Sequence, residues 1–182
     1  MSRISIPASI DAAPAASKPS LDAVNSLLGT VPNLFRITAN SPKTLEGYLG
    51  LNGALGAGSL TAQTRERIAL AVAEINGCNY CLAAHNYLGT NLAKLSAEEI
   101  EAARRGTSSD SKAAVAVGFA VKVTNNRGKV SDQDVQAVLE AGYSEAELVE
   151  IVGNVALNTL SNYINEVLAT DIDFPEVTVL TR

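Results

Sequence analysis

Proline placement confines this chain to one fold class. The six prolines are Pro7, Pro14, Pro19, Pro32, Pro42 and Pro175, and none lies between the last two. Inside a helix a proline removes a hydrogen bond and clashes with the preceding turn. A long stretch without it, rich in Ala, Leu and Glu, therefore reads as helix after helix. Capping residues divide the stretch. Ser20-Leu21-Asp22 opens a short helix that ends near Gly29. Ser41 caps a helix with Pro42 at its first position; it carries Leu45, Tyr48, Leu49 and Leu51 and dies in the glycine-rich run 53–58. Thr61 opens a helix through Ile68, Ala69, Val72 and Ile75, stopped by Asn76-Gly77, and the next runs from about Cys78 to Ala93. Ser96 to Glu99 and Ser144 to Glu147 both spell the reciprocal capping box. Near 110–125, Val115, Phe119 and Val123 recur on one helical face. Ser131-Asp132 starts a helix ending at Gly142. The last helix is long, about Ser144 to Ala169, with Leu148, Ile151, Val152, Val155 and Leu160 on its apolar side. Ile172 to Leu180 is the one β-like piece, and Pro175 interrupts it. The expected fold is all-α: a single helical domain over 20–182, preceded by a flexible Ala/Pro/Ser-rich leader over 1–19.

Composition narrows the function. With 14 basic against 19 acidic residues the net charge is −5, and no basic run exceeds Arg104-Arg105. Nucleic acid binding has no electrostatic footing on such a chain. Aromatics are 4% with no Trp, too few for base-stacking platforms. Charged residues are 18%, below the roughly 25% usual for soluble domains. That deficit points to surface buried between subunits. No apolar run is long enough to span a membrane, the first residues lack the apolar block of a signal peptide, and two cysteines make no secreted disulfide scaffold. The expected location is cytoplasmic.

Both cysteines and the only histidine, Cys78, Cys81 and His85, fall within eight residues. At about 100° per residue they lie within a ~60° sector of one helix face. Cys81 and His85 are one helical turn apart and within reach of each other. Cys78 and Cys81 stand at a helix start, an arrangement that permits a reversible disulfide. A cytosolic Cys-x-x-Cys usually belongs to a thioredoxin-like βαβ unit, but helices flank this one on both sides. The helix N-terminus favours an ionised Cys78, whereas the histidine spacing favours Cys81.

The pattern Glu66, Cys78, Cys81, His85, within Arg65-Glu66-Arg67-Ile68-Ala69-Leu70-Ala71-Val72-Ala73 through His85, resembles the AhpD-like alkylhydroperoxidase family of the carboxymuconolactone decarboxylase superfamily. The resemblance extends over about 40–95, and more loosely to the Asp171-Ile172-Asp173-Phe174-Pro175 tail. It implies an oligomeric, trimeric or hexameric, AhpD-like helical bundle that reduces hydrogen peroxide or organic hydroperoxides without metal, haem or flavin. It also implies that Cys81 attacks the peroxide, that Cys78 resolves the product into a disulfide, and that a dithiol, in that family a lipoyl-bearing protein, reopens it. Well-known members carry a second histidine just before the second cysteine. This chain has Tyr80 there, a departure that bears on the proton relay and not on the thiol chemistry.

Elementary chemistry says what such a site must supply. Lowering a thiol pKa by about two units raises the thiolate fraction about 25-fold at neutral pH. The accompanying fall in nucleophilicity returns about 6–10-fold of that. The larger need is an acid for the leaving oxygen, whose conjugate acid, for hydrogen peroxide, has a pKa of about 15.7. His85 suits that acid–base role, with Glu66 holding the imidazole.

Other readings remain at this level. The cysteines could be inert core residues, or part of a zinc site with His85 and Glu66, though three ligands along one helix fit a tetrahedron awkwardly. Glu66, flanked by Arg65 and Arg67, could be an ordinary ion-pair residue, and Glu74 is a competing carboxylate. Tyr80 and Tyr87 read as packing residues. Asn154, Asn158, Asn162 and Asn165 form a polar line on an apolar helix. They suit hydrogen bonding across a helix or subunit interface, or a polar wall of the redox pocket. A thiol–disulfide exchange or redox-sensing protein, a lactone decarboxylase and a non-catalytic helical module are the competing functions. The Gly53–Gly58 run lacks the residues of a phosphate loop.

Overall fold

The computed structural model describes residues 1–180 and is all-α, with no strand among them. A 3-10 turn over Ala15–Ser17 leads into α1 (Lys18–Leu28), α2 (Asn33–Thr38), α3 (Pro42–Gly56), α4 (Ala62–Asn76), α5 (Asn79–Asn91), α6 (Ala97–Arg104), α7 (Ser111–Asn125), α8 (Asp132–Glu140) and α9 (Glu145–Leu168). Most caps foreseen in the sequence are in place. Ser41, Thr61, Ser96, Ser131 and Ser144 each accept a backbone N–H of the first turn, as does Asp110, which sequence reading did not single out. Gly29 and Gly77 end α1 and α4 with φ of 73° and 69°. No atom would meet a Cβ at Gly77, so the left-handed backbone, not space, is what selects glycine there.

Helix α4 is the hub, with α5, α6, α7 and α9 packed around it. Ile68 to Ala73 are buried without a break, as expected of a helix surrounded on all sides. Its alanines, Ala69, Ala71 and Ala73, let neighbours approach closely. Ile68 and Val72 meet Phe119 and Val123 of α7, Val138 of α8, and Ile151 and Val155 of α9 in one cluster, with Val115 at its edge. Each such side chain contributes about 1.5–3 kcal/mol on burial.

Several expectations are corrected. Helix α1 begins at Lys18, two residues before the expected cap, because Pro19 fits its first turn. The short α2 had no signal beyond Pro32. Helix α3 runs through Gly53 to Gly56 rather than stopping there. The Ser96 box is half-formed. Glu99 does not reach back to the cap; its carboxylate accepts from Arg67 Nε at 2.7 Å, Ser108 Oγ at 2.8 Å and Ser109 N at 2.6 Å. Burial opposes ionisation of Glu99, but these donors hold its carboxyl at about 2. On α9, Val152 and Leu160 point outward, at 42% and 40% exposure. The leader is tied to the body. Arg3 N donates to Leu168 O at 2.8 Å, the N-terminal amine pairs with Asp171 at 3.0 Å, and Ala13 and Ser17 are buried. The β-like tail forms no strand; its residues up to Leu180 have no regular structure and are mostly exposed.

Candidate active site

The turn between α4 and α5 builds the thiol pair. Cys78 N donates to Ala73 O at 3.0 Å and Gly77 N to Glu74 O at 3.3 Å. This places Cys78 at the N-cap of α5, where its Sγ accepts from Cys81 N at 3.3 Å. One turn on, Cys81 Sγ lies 2.7 Å from Cys78 Sγ. Both cysteines are free and buried, at 0% and 2% exposure. Across the helix pair, Glu66 Oε2 of α4 is 2.9 Å from His85 Nδ1 of α5. The carboxylate and ring are each about one-fifth exposed, so water reaches them.

Helix α9 supplies the third wall. Asn165 Nδ2 donates to Cys81 Sγ at 3.2 Å. Asn162 Oδ1 accepts from Asn76 Nδ2 at 2.8 Å, and its amide lies close enough to favour the Cys81 thiolate. Asn158 supports the charged form of His85. Two members of the asparagine line, Asn154 and Asn158, donate to carbonyls of their own helix. Asn154 Nδ2 donates to Glu150 O at 2.8 Å, while Asn158 Nδ2 donates to Asn154 O at 2.8 Å.

Electrostatics separate the two sulfurs. Burial alone would raise the Cys81 thiol, but the Cys78 thiol and the Asn165 amide donate to it and the imidazolium attracts it, so it is lowered to about 7. Cys78 is pushed up, chiefly because its thiol donates to Cys81 and secondarily because it is buried. The N-terminal advantage of Cys78 is therefore outweighed by local hydrogen bonding. Burial lowers the His85 pKa, but Glu66 more than offsets it and the ring stays charged above its ordinary range.

Other candidates separate cleanly. Glu74 is held 2.8 Å from Arg104 Nε and accepts from Leu180 N at 2.6 Å, a structural clasp for the tail. Tyr80 OH donates to Asp173 Oδ1 at 2.8 Å and accepts from Leu34 N at 3.0 Å, with Phe174 edge-on to its ring. It anchors the tail over the start of α5. Tyr87 is 45% exposed, its ring 5.9 Å from Phe174. No group of three His, Cys, Asp or Glu is arranged to hold a metal among the described residues. Sequence reading missed Tyr48. It packs beside the two cysteines, and burial, with the charges of Cys81 and Glu66, raises its phenol. Nothing in the sequence near Cys81 signals it, since α3 and α5 meet only through folding.

Comparison with known proteins finds one family and several folds that this chain is similar to. The carboxymuconolactone decarboxylase family model matches residues 42–126, which include Glu66, both cysteines and His85. That stretch, somewhat less than half of the chain, is similar to the carboxymuconolactone decarboxylase family. A solved peroxidase-related protein with an alkylhydroperoxidase AhpD core, from Ralstonia eutropha, superposes with a TM-score of 0.84 at 24% identity, covering 94% of this chain and 92% of that one. A peroxidase-related protein from a Silicibacter species gives 0.81 at 23% identity, covering 93% and 91%. The debrominase Bmp8 gives 0.76 at 19% identity, covering 94% and 91%. At these identities the likeness is one of fold. No curated protein matches the sequence.

Proposed function

We propose that this protein is a thiol-dependent peroxidase acting on hydrogen peroxide or organic hydroperoxides. The observation that carries the reading is the asymmetry of the thiol pair: Cys81, at about 7, accepts from Cys78 and Asn165 beside a charged His85–Glu66 pair. The Cys81 thiolate attacks the terminal peroxide oxygen. The O–O bond breaks, an S–O bond forms, the sulfur loses two electrons, and His85 hands its proton to the leaving oxygen. Cys78 then displaces water from the sulfenic acid, closing a disulfide. An external dithiol, a lipoyl-bearing protein among the chemically suitable ones, reopens it by exchange. Free thiols need reducing surroundings, so the cytoplasm belongs to the same proposal.

Mass-spectrometric counting of free thiols tests this directly. Two before and none after one equivalent of peroxide, with turnover when a dithiol is supplied, is the expected result. A second reading, thiol–disulfide exchange or redox sensing, is favoured by one fact: Tyr80 is committed to Asp173 and Leu34 and adds no proton donor. Under it, the disulfide forms but peroxide is not consumed catalytically. A double Cys78→Ser/Cys81→Ser variant retaining all activity would instead revive lactone decarboxylation. The debrominase fold relative makes a brominated aromatic a useful control oxidant, on which the thiol count should not change.

The partner proposed for the outer face of α9 is a second copy of this chain. From Ile151 to Asn165 the helix carries no charged residue. Val149, Val152, Leu160, Tyr163 and Val167 are all at least 40% exposed along one stripe. On a chain of net charge −5, an uncharged stripe is where two copies meet with least repulsion. On neighbouring α3, Gly47, Gly50 and Gly53 face open space, although glycine weakens a helix; close approach by another backbone accounts for them. Light scattering should return a multiple of the chain mass.

A further inference from the structure

Two of the asparagines that face Cys81 are left with unused polar atoms. Asn162 and Asn165 are 0% and 2% exposed. Asn162 Nδ2, a donor, and Asn165 Oδ1, an acceptor, have no hydrogen-bond partner. Their other amide atoms are fixed, Asn162 Oδ1 by Asn76 and Asn165 Nδ2 by the Cys81 sulfur. Donation to the Cys81 sulfur orients the Asn165 amide, and Asn162 presents its donor toward the same sulfur, whose thiolate it favours. Buried polar atoms without partners are rare, and each calls for a reason. Here the pair lies one helical turn apart on the wall of α9 that meets the reacting sulfur. Asn162 lies near enough to that sulfur to favour its thiolate, yet its Nδ2 has no partner at full hydrogen-bond distance.

A hydroperoxide group has the complementary set: one O–H donor on its terminal oxygen and lone pairs on both oxygens. We infer that Asn162 and Asn165 form a two-point recognition site for that group, Asn165 Oδ1 accepting the peroxide O–H and Asn162 Nδ2 donating to the oxygen that leaves. The inference rests on the peroxidase reading and deepens it. In the step R–O–O–H + Cys81–S⁻ + H⁺(His85) → Cys81–S–O–H + R–O–H, the proton on the attacked oxygen stays with it, so Asn165 Oδ1 keeps its partner through the reaction. Charge grows on the departing oxygen, where the Asn162 donor acts alongside His85. The site thus selects oxidants with a free O–O–H group. Dialkyl peroxides and thiosulfonates have no hydrogen to offer Asn165. The burial of both amides favours small substrates.

The test compares two oxidants of the same thiolate in a Cys78→Ser background, where oxidation stops at Cys81. Hydrogen peroxide is followed by trapping the sulfenic acid with dimedone. Methyl methanethiosulfonate, which reads only the thiolate, serves as reference. Asn162→Leu and Asn165→Leu should each lower the ratio of the two rates by about tenfold or more, less than the 10²–10³ of a lone oxyanion-hole donor because His85 shares the leaving oxygen. An unchanged ratio, with both rates falling together, would reduce the amides to thiolate stabilisers and overturn the inference. Should either leucine variant lose its helical circular dichroism, Asn162→Ser and Asn165→Ser, which leave room for water, are read by the same ratio. The unsubstituted amides report on the parent reading. If Cys81 then reacts with thiosulfonate and not with peroxide, the peroxidase reading fails and takes the recognition site with it. A normal peroxide rate with unmoved ratios sinks the recognition site alone.

Discussion

The two faces of α9 are inverted relative to an ordinary surface helix. Its inner face is polar along most of its length: Asn154, Asn158, Ser161, Asn162 and Asn165 are all buried, joined by the apolar Ile151, Val155 and Leu157. Its outer face is the apolar stripe of Val149, Val152, Leu160, Tyr163 and Val167. A helix that only separated core from water would show the reverse. The difference teaches that water is the natural partner of neither face. The inner one is matched to a buried sulfur, a charged imidazole and, on our proposal, a substrate. The outer one is matched to protein.

That contrast can be broken in four places. The apolar end of the inner face carries stability, so Ile151→Ala should cost about 2–5 kcal/mol in denaturant unfolding; a loss no larger than that of an exposed position would mean α9 is not anchored there. The polar end carries electrostatics. Asn165→Leu removes a hydrogen bond to a charged group, worth about 1.5–3 kcal/mol, so the midpoint for Cys81 alkylation should climb from about 7 by roughly one to two units at 1.36 kcal/mol each. The sign is fixed. The folded thiol ionises at about 7 against an ordinary 9.0, so reactivity rises as pH rises through about 7. The stabilisation contributed by the thiolate, complete above pH 9, is lost as pH falls through the same point. A midpoint that stays put in the variant would deny the amide its role. Next, Tyr80→Phe breaks the bond to Asp173 while leaving the ring edge-on to Phe174. We expect a loss of about 1 kcal/mol and faster hydrogen exchange in 171–180, with thiol oxidation little changed. Smallest in stability is Tyr163→Glu on the outer face, which should move the folding free energy of the protomer by no more than about 0.5 kcal/mol. Its mark is the mass in solution, which should fall to that of one chain.

Much of the site was legible because it is local. Cys78, Cys81 and His85 share one helix, and the i,i+4 geometry that joins the last two follows from helical pitch alone. Glu66 needed only that α4 fold back on α5, which the Asn76-Gly77 stop requires. The asparagine line was visible as periodicity, but whether it faced a subunit or the redox pocket could not be read from spacing. The grouping of Val152 and Leu160 with Ile151 and Val155 on one apolar side failed for a related reason. Periodicity finds an apolar stripe, and assigning that stripe to the interior assumes the chain is alone in water. Tyr48, by contrast, reaches the site from α3 through packing that leaves no local signature.

The sequence by itself determined an all-α chain and a thiol, thiol and imidazole on one helical face, because proline placement, caps and helical pitch act over a few residues. Only the tertiary structure decided which thiol is the more readily ionised, that Glu74 is not the imidazole's partner, and which face of α9 is inside. Those depend on hydrogen bonds and burial between segments far apart in the chain, and such contacts exist only once the helices are packed.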